Sequence, residues 1–257
     1  MRHGSNHILL FCAVAILAAL SLPGFSAQEY NLAYNWTVGE KHNFSVYVLG
    51  QVVQTGEPAP REIQEKYEES WEVTGRFEPK GLYKLVSTAR GSSIYDLESF
   101  GIFPDKLKVT RLVDEYGRVD NVEGRPVGSR FYQMPLVLPQ IPMAPGRKWK
   151  ITHPFEVEAF GRKARTDVVA IYTFEEVVAN YKKRPHNFAR IRVDANYEAT
   201  APDGEATVTG QYQGRIFFDL VDRKFVDAQI TETRTEKMNA DDRRRKTSIQ
   251  RTYIRKP

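Results

Sequence analysis

The side chains that could ligate a metal ion or act as general bases are few and widely spaced. His42, His153 and His186 are the histidines after residue 27, and none has a second histidine at metal-ligand spacing. The sequence has no Gly-x-Ser-x-Gly elbow, phosphate-binding glycine loop or His-Glu-x-x-His pattern. We therefore expect a protein that is not an enzyme and that has no catalytic residue, metal site or cofactor.

Carboxylates gather at Glu62, Glu65, Glu68, Glu69 and Glu72, close to aromatic residues. A glycosidase needs two such groups about 5–10 Å apart across a sugar cleft, and Glu beside Trp or Tyr is compatible with sugar binding. The simpler interpretation is a charged, solvated edge. We adopt that interpretation and assign no catalytic role.

Basic residues are concentrated at predicted turns. This pattern is compatible with contact with an anionic surface, such as lipid head groups or an acidic polymer, although the simpler interpretation assigns it no partner. The alternative is that these are the ordinary charged hairpin tips of a soluble protein. The candidates are Lys182, Lys183, Arg184, Arg243, Arg244 and Arg245.

A segment at 131–145 is apolar although four prolines, from Pro135 to Pro145, exclude a regular helix or a central strand. It should lie extended against an apolar surface. It is either a linker packed on a sheet or the cover of a ligand cavity. In the second case the ligand-binding residues are Met134, Leu136, Leu138, Ile141 and Met143.

Residues 1–27 have the form of a secretory signal peptide. Thirteen apolar residues, 8–20, are followed by a break at 21–24. A bilayer span needs about 20 residues, so cleavage and a secreted or periplasmic protein are predicted, with an uncleaved anchor as the alternative. The one cysteine, Cys12, lies in this run, so the mature chain would have no disulfide or thiolate site. Export also removes nucleic acid as an expected partner.

The rest of the chain is typical of β-structure. Hydrophobic residues make up 41% and charged residues 27% of the 257 residues, with a net charge of +5, which suits a folded domain. Apolar and polar residues alternate in most segments, for example from Ile191 to Ala199. Residues 62–77 are predicted as a strand, although apolar residues at spacing four near 63–71 leave an initial helical turn as the alternative.

Three short patterns recur at an interval of about 107 residues, which predicts an internal duplication. The pairs are 39–42 with 146–149, 79–85 with 185–191, and 112–114 with 220–222. The resulting organisation is a signal peptide at 1–27, a first β repeat at 28–130, a Pro-rich linker at 131–145 and a second β repeat at 146–257. Gly81 and Asn187 are expected to take positive φ in equivalent turns.

The fold class is therefore all-β, with two tandem antiparallel units of about five strands each. The units would form either two facing curved sheets or one sheet curled into an open barrel. The sequence alone leaves both arrangements open.

The signal peptide, the Gly-x-Lys strand starts at Gly39 and Gly146, and the two Leu-Val-Asp hairpins resemble uncharacterised exported β-rich proteins of bacteria. More distantly the pattern is similar to periplasmic lipid and lipoprotein carriers, which are half-open barrels. The resemblance implies a non-enzymatic binding or carrier module of the cell envelope for an apolar or amphipathic ligand such as a lipid. The alternative is a structural or interaction protein that contacts envelope proteins without a small ligand.

Overall fold

The computed structural model describes residues 28–91, 107–123 and 134–256. The predicted signal peptide, Cys12 and the first three residues of the Pro-rich segment lie outside the described residues. Strands make up 68% of the described chain, and its helical content is two short 3₁₀ turns at Glu78–Lys80 and Tyr181–Lys183. No helix within these ranges is long and apolar enough to cross a membrane.

Eleven strands form in the described residues. They are β1 (Lys41–Gln54), β2 (Arg61–Phe77), β3 (Leu82–Gly91), β4 (Leu107–Val113), β5 (Val119–Glu123), β6 (Lys148–Ala159), β7 (Arg162–Ala179), β8 (Asn187–Thr200), β9 (Ala206–Asp219), β10 (Lys224–Met238) and β11 (Arg244–Arg255).

All eleven strands belong to one antiparallel sheet in the order β5-β4-β3-β2-β1-β11-β10-β9-β8-β7-β6. The first half of the chain and the second half each meander outward, and β1 pairs with β11 to join them at the centre. The sheet curls into a half-barrel whose two edges are β5 and β6. The all-β prediction is confirmed, and of the two predicted arrangements the single curled sheet is the one that forms.

Alternation along the strands fixes which face becomes the core. In β8, Ile191, Val193 and Ala195 are buried on the concave face while Arg192 points to solvent. The strand predicted at 62–77 is confirmed as β2, and its Ile63, Tyr67 and Trp71 are all buried. A spacing of four places residues on one face of a strand as well as of a helix, which explains the ambiguity of this segment.

Two glycines mark places where neighbouring strands approach closely on the concave side. A Cβ at Gly50 would lie 2.3 Å from the carbonyl oxygen of Ser248, and a Cβ at Gly214 would lie 2.3 Å from that of Gln229. Each glycine faces an isoleucine on the adjacent strand, Ile249 and Ile230 respectively. A larger residue would force the strands apart, so glycine permits this local geometry.

One end of the half-barrel, here called the lower end, is filled by two extended segments, 28–40 and 134–147. Tyr30 and Met143 exchange two backbone hydrogen bonds of 2.9 Å, and the Leu138 N–H donates to the Tyr116 carbonyl at 2.8 Å. The Tyr34 hydroxyl donates to the Leu136 carbonyl at 2.9 Å. The Pro-rich segment is therefore packed inside the sheet.

The lower end also carries the hairpin turns at 78–81, 114–118, 180–186 and 220–223. The opposite, upper end carries the turns at 55–60, 160–161, 201–205 and 239–243. A strand such as β11 runs from one end to the other, and its twelve residues span about 36 Å. The two ends are thus separate surfaces.

The two turns expected to contain equivalent positive-φ residues differ. Gly81 has φ of 63°, as predicted. The prediction for Asn187 is wrong, because this residue begins β8 and the positive φ values in its turn belong to Asn180, Lys182 and Lys183. The longer turn between β7 and β8 completes its reversal before residue 187.

Some local contacts recur in both halves, but the donor glycines lie 107 residues apart whereas their acceptors and the following bulges lie 101 apart. The Gly39 N–H donates to the Val73 carbonyl at 2.8 Å, and the Gly146 N–H donates to the Phe174 carbonyl at 2.6 Å. A bulge follows at Val73/Gly75 in one half and at Phe174/Glu176 in the other. These are correspondences at single sites, and the duplication itself stays a prediction.

Candidate functional site: a band of charges on the concave face

The concave face of β10 carries charged side chains where an apolar column is expected. From residue 230 to 236 the sequence reads Ile-Thr-Glu-Thr-Arg-Thr-Glu, and the charged residues of this alternation face inward. Arg234 is 5% exposed and Glu236 is fully buried. We call the set Glu232, Arg234, Glu236, Arg245 and Arg251 the ionic band.

The ionic band is held together by direct contacts between β10 and β11. Arg251 Nη1 donates to Glu232 Oε2 at 3.0 Å. Arg234 Nη2 lies 3.0 Å from Glu236 Oε1, and Arg245 Nη2 donates to the other oxygen of Glu236. Because burying a charge is costly unless it is paired, these contacts are what allow the charges to face inward.

Tyr197 on β8 extends the ionic band across the sheet. Its hydroxyl donates to Glu232 Oε1 at 2.9 Å. Burial raises the pKa of Tyr197, and the Glu232 charge raises it further, so the phenol stays protonated and remains a donor. Burial acts to raise the pKa of Glu232, but Arg251 and Arg234 outweigh it and the pKa is lowered. Glu232 is therefore ionised at neutral pH.

A second buried polar group lies across the interior, on β2, β3 and β4. Trp71 Nε1 donates to Glu69 Oε1 at 2.7 Å, and Arg111 Nη1 donates to the Ser87 hydroxyl. Burial lowers the pKa of Arg111 to about 10 against the opposing effects of Glu69 and Tyr253, so it keeps its charge at neutral pH.

A ring contact across the interior shows the curl of the sheet. Trp71 lies on β2 and Phe225 on β10, two strands separate them in the sheet order, and their ring centroids are 5.3 Å apart. Only a strongly curled sheet brings side chains from such distant strands into contact across its concave face. The curl therefore gathers both polar groups around a common interior.

Three buried oxygen atoms in or beside the ionic band have no hydrogen-bond partner within the described parts of the chain. They are Thr247 Oγ1, Glu65 Oε2 and Glu236 Oε1, the last of which is still within ion-pair distance of Arg234. Thr247 is 4% exposed and lies directly opposite Arg234 in the β10–β11 ladder. Buried hydroxyl groups are normally satisfied, so this position is where a ligand atom or a water molecule would find a partner.

The predicted ligand-binding residues are only partly brought together. Met134, Leu136, Leu138 and Met143 are buried in the core at the lower end, whereas Ile141 is 66% exposed. Their neighbours include protein aromatic groups, since Trp149 Nε1 donates to the Val137 carbonyl at 2.8 Å within the same segment. The assignment of these five residues to a ligand stays a prediction.

The two predicted basic clusters lie at opposite ends of the half-barrel, so they do not form one surface. In the upper cluster each arginine has a carboxylate partner: Arg243 with Asp241 at 2.6 Å, Arg244 with Asp242 at 3.2 Å, and Arg245 with Glu236.

In the lower cluster, Lys182 lies 2.7 Å from Asp227 and Arg184 Nη2 donates to the Arg255 carbonyl at 3.0 Å. Lys183 is exposed. The predicted contact of either cluster with an anionic surface stays a prediction.

One group of residues in the described ranges has the composition of a metal site: His186, Asp219 and Asp222 at the lower end. His186 Nδ1 lies 2.8 Å from Asp219 Oδ2. The other oxygen of Asp219 accepts from the backbone N–H groups of Val221 and Asp222, both at 2.9 Å. Both carboxylate oxygens of Asp219 thus have hydrogen-bond partners that shape the β9–β10 turn, and we assign no metal to this group.

The ionic band was missed at the sequence level because no inward or outward face was assigned to residues 232–236. Alternation alone does not say which of two polar sets faces inward. A usable signal was the set of three alternating threonines, which are β-branched and suited to the solvent face of a central strand.

The interpretation of the carboxylates near Glu65 and Glu69 as a solvated edge is also partly wrong, because Glu69 is buried on the concave face.

Comparisons with known proteins are sparse. No protein-family model and no curated protein matches the chain. Among solved structures, the crystal structure of Ail, the attachment invasion locus protein of Yersinia pestis, aligns with 9% sequence identity and a TM-score of 0.20. The alignment covers 86% of this chain and all of that one. A likeness this low carries no argument about fold or function.

Proposed function

We propose that this protein is an exported, non-enzymatic binding or carrier protein of the cell envelope, and that it takes an amphipathic ligand on the concave face of its curled sheet. The observation that carries the proposal is the ionic band: paired charges facing the interior of a half-barrel that also carries many apolar side chains. Such a lining offers donors and acceptors to a polar head and hydrocarbon contacts to an apolar part.

The unsatisfied Thr247 hydroxyl supports the upper half of the interior as the place of binding. It lies opposite Arg234 and within the ionic band. The lower half is occupied by Leu136 and Leu138 of the protein itself. The polar head of a ligand would therefore sit at the level of Thr247 and Arg234, with no cofactor and no nucleic acid involved.

The occupied lower half also supports the second candidate, a structural or interaction protein without a small ligand. If the 134–147 segment and the charge pairs fill the interior, the ionic band serves only to fix the packing of the sheet. The two candidates differ in whether a small molecule accompanies the purified protein.

Native mass spectrometry of the mildly purified protein distinguishes them. We expect an added mass that disappears on denaturation, and a lower occupancy in Thr247→Val, which removes the hydroxyl but keeps the shape. Thr231→Val on the solvent face of β10 is the matched control. A mass equal to that of the bare chain, from cells that supply lipids, would favour the structural candidate.

We also propose that residues 28–130 and 146–257 descend from one duplicated unit of about 107 residues. The equivalent backbone bonds of Gly39 and Gly146, which lie 107 residues apart, support this. Superposing the described strands of the two halves tests it, because a common origin predicts the same strand order and path and diverging paths would overturn it.

A further inference from the structure

Exposed apolar side chains collect at the lower end. Val38, Phe77, Ile141 and Val221 are 54%, 47%, 66% and 61% exposed, and each lies in or beside a turn or segment of that end. The other large exposed apolar residues of the described chain are on the convex strand surface: Tyr47, Leu49, Val53 and Ile171. In the described turns of the upper end none is exposed to this degree.

The turns of the two ends also differ in charge. In the four described hairpin turns of the lower end, basic residues outnumber acidic ones. They are Lys80, Arg118, Lys182, Lys183, Arg184 and Arg223, against Glu78, Asp114, Glu115 and Asp222. In the four described turns of the upper end the balance is reversed. There Arg243 stands against Glu57, Asp203, Glu205, Asp241 and Asp242.

The backbone at Lys182 and Lys183 gives a separate reason to regard the lower end as functional. Both have positive φ, 50° and 65°, where glycine or asparagine would be less strained. Lysine is therefore not the residue that the turn itself favours. Lys183 is exposed and has no ion pair within the described ranges, so its charge is available to an outside partner.

We propose that the lower end docks on an anionic lipid surface. Ile141, Val221 and their apolar neighbours would enter the headgroup region, and Lys183 of the β7–β8 turn would contact lipid phosphates. The upper end also carries basic residues beside its turns, Arg162, Arg244 and Arg245, so the preference for the lower end comes from the exposed apolar side chains there.

The inference does not depend on a bound ligand, and vesicle sedimentation tests it directly. The probes are vesicles of phosphatidylcholine alone and of phosphatidylcholine with phosphatidylglycerol. The protein is taken from the exported fraction after its intact mass has shown whether residues 1–27 are retained. We expect tighter binding to the anionic vesicles, weakened by salt. If residues 1–27 are retained, the quantity compared is the ratio of the affinity for anionic vesicles to the affinity for phosphatidylcholine vesicles.

Variants at the two ends give the decisive comparison. Lys183→Gly should weaken binding to anionic vesicles about fivefold, the effect of about 1 kcal/mol per basic residue at a membrane, while leaving the thermal midpoint unchanged or higher. Ile141→Ser with Val221→Ser should weaken it about tenfold or more. The controls are Arg243→Ala at the upper end and Leu49→Ser on the convex surface, both expected to bind as the parent does.

Three results would overturn the proposal. They are equal binding to both kinds of vesicle, unchanged binding of both lower-end variants, or an equal loss in the upper-end control. The thermal midpoint of each variant shows that a loss of binding is not a loss of folding. Loss of lipid docking would leave the native mass result at Thr247 untouched, so the two proposals fail independently.

Discussion

Glu232 and Arg251 form a buried ion pair between β10 and β11, with Arg251 Nη1 at 3.0 Å from Glu232 Oε2. Both residues point to the concave face, where Tyr197 donates to the second oxygen of the same carboxylate. Both carboxylate oxygens of Glu232 therefore accept hydrogen bonds within the interior. Its ionised form is the one that the surroundings favour.

Removing one member of this pair should be far more costly than removing both. Glu232→Met takes the acceptor from Arg251 and Tyr197, and we expect a loss of about 3–5 kcal/mol in the free energy of unfolding measured in urea. The double variant Glu232→Met with Arg251→Met should lose clearly less than the sum of the two single variants. Additive losses would show that the two charges do not interact.

The contact between Gly210 and Tyr197 makes a second prediction. A Cβ at Gly210 would lie 2.2 Å from the Tyr197 ring, so Gly210→Ala should displace the ring from Glu232 and cost about 1–3 kcal/mol. Gly75 is the matched control, because a Cβ there meets nothing within 4 Å. If Gly75→Ala destabilises the protein as much, as judged by the urea midpoint, the steric explanation fails.

The turn at Gly81 makes a third prediction. Its φ of 63° is favourable for glycine and strained for a β-branched residue, so Gly81→Val should cost about 1–3 kcal/mol. Gly81→Asn should cost less, since asparagine tolerates this region best among the other residues. An unchanged melting temperature in the valine variant would contradict the role of this turn.

The packing of the 134–147 segment makes a fourth prediction. Leu136 is fully buried, so Leu136→Ala should cost about 2–5 kcal/mol and increase the binding of an apolar dye. Ile141→Ala in the same segment should change the free energy of unfolding by less than about 0.5 kcal/mol, because the side chain is exposed. Equal effects would mean that the segment acts as a tether only.

Acid should destabilise the fold through His42. Burial, followed by Arg255 and Lys224, lowers the pKa of His42 to about 4, although Glu40 opposes this with its Oε2 at 3.5 Å from Nε2. The unfolded chain takes up a proton near pH 6.5, so it binds more protons than the folded chain between pH 6.5 and 4. Stability should therefore fall as the pH drops through this window, by about 1–3 kcal/mol.

His42→Gln should reduce this dependence when unfolding is followed by urea at pH 7, 6, 5 and 4. Burial also lowers the pKa of His153 to about 4, so part of the acid lability should persist. His186 is the control of opposite sign. Its hydrogen bond to Asp219 raises its pKa, so its contribution is complete below pH 6.5 and is lost as the pH rises through the raised value. His186→Gln should leave the acid lability unchanged, and a reduction there would contradict this assignment.

The strand content of the fold was accessible from the sequence because alternation is a local property. The apolar side chains of Ile191, Val193 and Ala195 predict the buried face of their strand. The turn at Asp203 and Gly204 follows from residue types that adopt tight turns. The apolar character and the prolines of 131–145 likewise predicted an extended segment against an apolar surface, either a packed linker or the cover of a ligand cavity, and the described part from residue 134 is packed in this way.

The joining of β1 to β11, the curl and the ionic band were decided by the tertiary structure. Pairing between β1 and β11 links residues about two hundred positions apart, and no local pattern specifies it. The sequence placed Glu232, Arg234 and Glu236 on one face of a strand, but not on which face. That choice depends on Arg251 and Tyr197, which reach the carboxylate only after the sheet has formed, because buried charges are stable only beside partners that folding brings together.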